Sequence, residues 1–370
     1  MTTTDTGTHA IEVVVSTARR SPAERAELMR DPGFGRVHTD HMVAVRWTED
    51  RGWHDARLSA YAPLQLDPSA MVLHYGQAIF EGLKAYPQPD GGVAVFRPQE
   101  NARRFNRSAA RLAMPEIPEE LFLAAVRQLV DIDRDWVPTA AGQSLYLRPF
   151  MIATEAQVGM RPAHEYLFLL IAFPVTPFFP GEVRPVTVWL SQEYVRAAVG
   201  GTGEAKCAGN YAGSLLAQRQ AADKGCDQVV WLDAVERRWV EEMGGMNLFF
   251  VCRDGGRTRL LTPALTGTLL PGVVRDSLLT FAVDLGYEVE ESRLSVEQWQ
   301  RGCADGSITE VFACGTAAVI APVGAARSVH GDWQVGDGTP GEVTMRLRAE
   351  LLELQYGRRA DPHGWMTPVD

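Results

Sequence analysis

The chain has 370 residues, 46% of them hydrophobic and 22% charged, and a net charge of −10. That is a soluble globular profile, too long for one ordinary core, so two domains are expected. The acidic balance without a basic stripe argues against nucleic acid as a partner, and the absence of any apolar run of 18 residues argues against a membrane span.

The polar start MTTTDTGTHA lacks the charged and apolar regions of a secretory leader. Further along, MVLHYGQAIFEGLKAY and GGVAVFRP read as strands and turns, and NARRFNRSAARLAM and EELFLAAVRQLVDIDRDWV carry apolar residues at helical spacing. The apolar run YLFLLIAF closes on AFPVTPFFPGEVRP, residues 172–185, with four prolines and a glycine. A linker is expected at 174–185, dividing a small N-terminal domain, 1–173, from a large C-terminal domain, 186–370. Beyond it VTVWLS reads as a strand, YAGSLLAQRQAADKG as a helix ending at Gly225, and QVVWLD as a strand. RWVEEMGGMNLFFVC reads as a hairpin, PGVVRDSLLTFAVDLG as a helix opened by Pro271 and Gly272, and ITEVFACGTAAVIAPV as strand with a glycine kink. Both halves mix strands and helices, an α/β or α+β arrangement.

Of 36 basic residues only three are lysines, Lys84, Lys206 and Lys224. Arginine does not lose its proton in practice, whereas a lysine amine can become a nucleophile. Lys224 stands at a helix end, where a cation complements the local dipole, and Lys84 in FEGLKAY reads as a strand lysine. Lys206 stands in GGTGEAKCAGNY, where glycines let backbone approach a ligand. A Schiff-base lysine needs a cofactor such as pyridoxal phosphate, which demands an anion site, a partner for its pyridine nitrogen and a donor near its phenolic oxygen. The start of LPGVVRDSLL offers the free N–H groups of Val273 and Val274, ACGTAAV offers Thr316, and NARRFNRSAARLAM offers arginines. For the nitrogen, EEMGGMN offers Glu241 and Glu242, of which one can face a site because strand side chains alternate; solvent-facing carboxylates at a hairpin are the other reading. HTDH at 38–41 lacks a third ligand motif, so no metal is expected, and GGTG is neither G-x-G-x-x-G nor a P-loop. The five cysteines, never spaced C-x-x-C, read as reduced cytosolic thiols.

These stretches resemble the branched-chain amino acid aminotransferases, class IV pyridoxal-phosphate enzymes of the two-domain D-amino-acid-transaminase-like fold, fold type IV. The resemblance runs from FGRVHTDHM through HYGQAIFEGLKAY, LYLRPFMIATE, GGTGEAKCAGNYAGSLLAQ, EEMGGMNLFFV, LLPGVVRDSLL and EVFACGTAAV to LQYG, most of the chain. It implies that Lys206 carries the cofactor and moves the substrate proton, that Tyr211 binds the ring oxygen and that Glu242 pairs with the ring nitrogen. Arg104, the backbone of Val273 and Val274, and Thr316 would hold the phosphate, with Leu270 near the ring. Tyr75, Phe80, Tyr146 and Arg148 would shape the substrate pocket, with Thr316 and Ala317 near the α-carboxylate. The implied reaction passes the amino group of leucine, isoleucine or valine to 2-oxoglutarate in a ping-pong cycle, giving branched 2-oxo acids and glutamate. A cytoplasmic homodimer is implied, with the loop of Val158 and Met160 against the partner.

The chain departs from the family at His38, where an aromatic is common and Phe34 stands as a substitute, at Phe178, where a tyrosine is common, and at Gly245, a threonine in animal members. Ala318 and Ala321 replace the C-x-x-C pair of some animal members. A D-amino-acid transaminase or aminodeoxychorismate-lyase-like enzyme would share the cofactor but lack the HYGQAIFEGLKAY and LYLRPF context. A non-enzymatic phosphate-ligand binder would use the anion seats without Lys206.

Overall fold

The computed structural model of the protein describes residues 10–179 and 181–369. Most of the polar N-terminal stretch, and Pro180 of the expected linker, lie outside the described residues. The chain divides into two units: the described residues up to Thr176 with those from Asp361, and Pro177–Ala360.

The first unit contains β1 (Glu12–Val13), α1 (Pro22–Leu28), β2 (His41–Thr48), β3 (Gly52–Ala60), α2 (Met71–Tyr75), β4 (Ala78–Phe80), β5 (Leu83–Pro87), β6 (Val93–Phe96), α3 (Pro98–Arg111), α4 (Glu119–Ile132), β7 (Ser144–Ala153) and β8 (Glu165–Val175). Its sheet runs β1-β3-β2-β8-β7-β5-β6 and ends on Met366–Val369, with β4 attached to β7. YLFLLIAF lies in β8, a central strand between β2 and β7, and its centre is apolar without alternation because both faces are covered. Leu121, Phe122, Ala125, Val126 and Leu129 make one buried face of α4. MVLHY, read within a stretch of strands and turns, is instead the one-turn helix α2, closed by Gly76 in the left-handed conformation. Residues from Asp361 onward, placed with the C-terminal domain by the sequence reading, join this unit because Met366–Val369 pairs antiparallel with β6.

The second unit contains β9 (Val186–Ser191), α5 (Ala208–Ala212), α6 (Leu215–Asp223), β10 (Gln228–Leu232), β11 (Val240–Met243), β12 (Met246–Asp254), β13 (Arg257–Thr262), α7 (Val273–Asp284), β14 (Glu288–Glu291), α8 (Val296–Asp305), β15 (Ile308–Gly315), β16 (Val319–Ser328), β17 (Gly331–Gln334) and α9 (Glu342–Gln355). Its sheet runs β11-β10-β9-β16-β15-β12-β13-β14, with β17 on β16, and a further β11–β12 pairing closes a circuit around a core that includes Val188, Leu190, Val230, Leu248, Phe250 and Ala313. The expected EEMGGMN hairpin forms, pairing Met243 with Met246 and Glu242 with Asn247. ITEVFACGTAAVIAPV is two antiparallel strands, and Val319 at φ +63° tightens the turn through Thr316 and Ala317.

Candidate active site

Lys206 immediately precedes the helix cap Cys207, at the end of the glycine-rich loop between β9 and α5. Its Nζ donates to Tyr211 Oη at 2.9 Å, one helical turn on. The loop is held to α5 by Asn210, whose Nδ2 donates to the carbonyls of Thr202 (2.7 Å) and Ala205 (2.9 Å) while Thr202 Oγ1 donates to its Oδ1 (2.6 Å). The other lysines are engaged elsewhere. Lys224 caps α6 with Nζ 4.4 Å from the Trp189 ring centroid, and Lys84 is buried in β5.

Glu242 on β11 is 1% exposed, so its carboxylate must be compensated from within the protein. Leu270 N–H donates to its Oε1 at 2.5 Å, and Asn247 Nδ2 donates to the same oxygen at 3.3 Å and to Leu270 O at 3.0 Å. Arg196 Nε lies 3.1 Å from Oε2, close enough for an ion pair but poorly directed for a hydrogen bond, so Oε2 keeps an acceptor position unspent. Burial pushes the Glu242 carboxyl up, opposed by Arg196, the Leu270 N–H and Lys206.

Glu241 is also buried, which overturns the solvent-facing reading of the pair. It accepts from Thr268 Oγ1 at 2.5 Å, and burial pushes its carboxyl up. It lines a cavity of about 200 Å³ with Val199, Trp239, Thr268 and Arg293, and neither Lys206 nor Glu242 lines that space.

Gly272 caps α7, so Val273 and Val274 are its first two residues and their N–H groups are those a helix start leaves without internal partners. A Cβ on Gly272 would overlap Asn247 Oδ1, which places this helix start against the residue that pairs with Glu242. Asn247 pairs in turn with Cys314, two residues before Thr316. An unspent acceptor on a buried carboxylate, a lysine amine on a tyrosine hydroxyl and a helix start adjoining Asn247 together fit the demands of pyridoxal phosphate.

In the first unit, Arg148 on β7 has its guanidinium carbon 4.9 Å from the Phe80 ring centroid and 5.4 Å from that of Tyr146. Its Nε is a buried donor without a hydrogen bond, and it forms no ion pair with a carboxylate among the described residues. Tyr146 stacks on Phe173, and Phe34 meets both edge-on, so Phe34 does lie beside an expected pocket residue; His38 stacks on Tyr61. A Cβ on Gly82 would overlap the Tyr146 hydroxyl. Tyr75 Oη donates to Val158 O at 2.5 Å. Arg104, buried on α3, donates Nε and Nη2 to the two oxygens of the buried Glu81 at 2.7 and 2.9 Å, which fixes its plane.

His41, in HTDH, is committed to Asp133 through Nδ1 (2.7 Å) and to Ser16 N–H through Nε2. A Cβ at Gly245 would sit in ordinary contact, 3.4 Å, with Tyr211. The sequence reading missed Arg196, Asn247, Thr268 and Asn210. Asn247 was legible, because a two-residue turn at Gly244 and Gly245 fixes it opposite Glu242; the others carry no local signal.

Residues 78–326 match the family model described as amino-transferase class IV. The chain is 59% identical over 360 residues to the "Probable branched-chain-amino-acid aminotransferase" of Streptomyces coelicolor, covering 97% of this chain and 98% of that one. It is 58% identical to the branched-chain-amino-acid aminotransferase of Mycolicibacterium smegmatis, over 97% and 98% of the two chains. Among solved structures it is similar to the branched-chain amino acid aminotransferase of Escherichia coli, at a TM-score of 0.72 and 29% identity, covering 88% of this chain and 99% of that one.

Proposed function

This chain belongs to the class IV aminotransferases, and we propose that it passes the amino group of leucine, isoleucine or valine to 2-oxoglutarate with pyridoxal 5′-phosphate, giving branched 2-oxo acids and glutamate. The observation that carries this reading is the grouping of the Lys206–Tyr211 pair with a buried Glu242 whose Oε2 has an acceptor position unspent. The bound cofactor supplies an electron sink that weakens the Cα–H bond of the amino acid. Lys206 would hold the cofactor and, once its amine is released, move the Cα proton, with Tyr211 orienting the amine and binding the ring oxygen. Glu242 would keep the ring nitrogen protonated, with Leu270 near the ring. The N–H groups of Val273 and Val274, the Thr316 hydroxyl and Arg104 would hold the phosphate.

One pocket must accept both an apolar side chain and a carboxylate. Phe80, Tyr146 and Tyr75 would provide apolar walls with hydroxyls at their edge, Arg148 the cation for the side-chain carboxylate of glutamate, and Thr316 and Ala317 the α-carboxylate contacts. Support for Arg148 in that role is its lack of a carboxylate partner among the described residues. A homodimer is supported by the exposed Leu73, Tyr75, Val158 and Met160, and a cytoplasmic setting by five free cysteines.

The test is a panel of L- and D-amino acids against 2-oxoglutarate. Turnover should be confined to the L-series and highest for leucine, isoleucine and valine; preference for D-amino acids, or no turnover, would overturn the reading.

A further inference from the structure

Arg196 is 5% exposed by side chain and lies in the loop between β9 and Lys206. Its guanidinium meets three separate segments. Nη1 donates to Thr268 O at 2.7 Å and to Gly203 O at 3.2 Å, Nη2 donates to Gly203 O at 3.1 Å, and Nε faces Glu242 Oε2 at 3.1 Å. Gly203 and Thr268 can share one guanidinium only because their backbones nearly touch: a Cβ on Gly203 would overlap the Thr268 carbonyl oxygen and Ala197 Cβ. Two of the three contacts are neutral carbonyls, so the positive charge remains for the buried carboxylates, Glu242 in direct contact and Glu241 at longer range. A lysine could supply that charge but not the planar fork that reaches all three partners.

We propose that Arg196 is a positioning residue of the transamination: it keeps Glu242 ionised to meet the ring nitrogen, and it ties the Gly203 turn, three residues before Lys206, to the segment that carries Leu270. The inference rests on the proposed cofactor reading, but its electrostatic half is a property of the protein alone. Glu242 faces Arg196, Lys206 and Glu241, and Cys314 lies close enough to feel the charges of Glu242 and of Arg275. Arg196 is the largest of the influences opposing burial at Glu242. Removing it leaves the buried carboxylate with two neutral donors and only the weaker influence of Lys206, which favours uptake of a proton.

The test uses cofactor-free protein and infrared titration of the protonated carboxyl band, with Glu242→Gln identifying which band belongs to Glu242. Arg196→Gln should move the midpoint of that band upward by about 1–3 pH units, and Arg196→Lys should return it most of the way. An unmoved midpoint in Arg196→Gln would overturn the inference. If Arg196→Gln does not fold, Arg196→Gln combined with Glu242→Gln decides: recovery of folding supports the charge role, and failure to recover reduces Arg196 to a carbonyl staple and overturns it. Borohydride reduction of the wild-type holoenzyme, followed by peptide mapping, tests the underlying reading separately. A label on Lys206 with an unmoved midpoint sinks only the inference, and a moved midpoint with no label on Lys206 sinks only the cofactor role.

Discussion

Single side chains carry three expectations that separate chemistry from packing. Lys206→Ala should abolish turnover and the absorption band of lysine-bound cofactor, whereas Lys224→Ala, which removes a cation over Trp189 at the end of α6, should leave both nearly unchanged. Absorption spectra and steady-state assays of the two variants decide it. Glu241 makes a prediction about pH. Its carboxyl is raised above the ordinary 4.5 by burial first, so its favourable contribution to folding is complete below that value and is lost as pH rises through the folded-state value. Glu241→Gln cannot ionise, and its melting temperature relative to wild type should therefore climb from acid toward neutral pH, while activity changes little. A difference that is flat or falls with pH would mean that the carboxylate is stabilised where it sits. Arg148 tests the dual pocket. A hydrogen bond to a charged group is worth about 1.5–3 kcal/mol, so Arg148→Leu should weaken the 2-oxoglutarate half-reaction roughly ten- to a hundredfold and the leucine half-reaction much less. Single-turnover rates measure both, and equal losses would point to an α-carboxylate or structural role.

Among the elements, the start of α7 is the place to separate a helix from its function as an anion seat. Gly272 is extended, with φ −71° and ψ 131°, which is compatible with a following proline, and the first helical position tolerates proline because its N–H has no internal partner. Val273→Pro should therefore leave α7 intact by circular dichroism while removing one phosphate donor. Titration of the cofactor-free variant with pyridoxal phosphate should show affinity reduced about tenfold or more; unchanged affinity would place the phosphate elsewhere. Elements also show how far local pattern reaches. The EEMGGMN hairpin and the α7 helix were legible because turn residues and helix-start chemistry act over a few positions. The helix at MVLHY was not legible within its stretch of strands and turns because one helical turn is too short to display a period, and its end is set by Gly76.

For the molecule as a unit, the exposed Leu73, Tyr75, Val158 and Met160 are a poor surface for a monomer, and Met160 is 90% exposed. If they meet a second copy, Met160→Asp should raise the dimer dissociation constant by tenfold or more. Sedimentation velocity across a dilution series reads this, and a variant that dimerises as tightly as wild type would remove the loop from the interface. The mixed α/β class, the placement of Lys206 among glycines, Tyr211 one helical turn on, and the helix start at Val273 all follow from the amino-acid order, since each depends on spacing within one short segment. Pattern alone left Glu241 and Glu242 equivalent, allowed both to face solvent, and assigned nothing to Arg196. Folding in three dimensions separates these residues, because burial and charge compensation depend on segments far apart in the chain. Glu241 is buried against Thr268, Glu242 against Leu270 and Arg196, and Met366–Val369 returns to β6. A buried charge is stable only where distant partners converge on it, and no local period records that convergence.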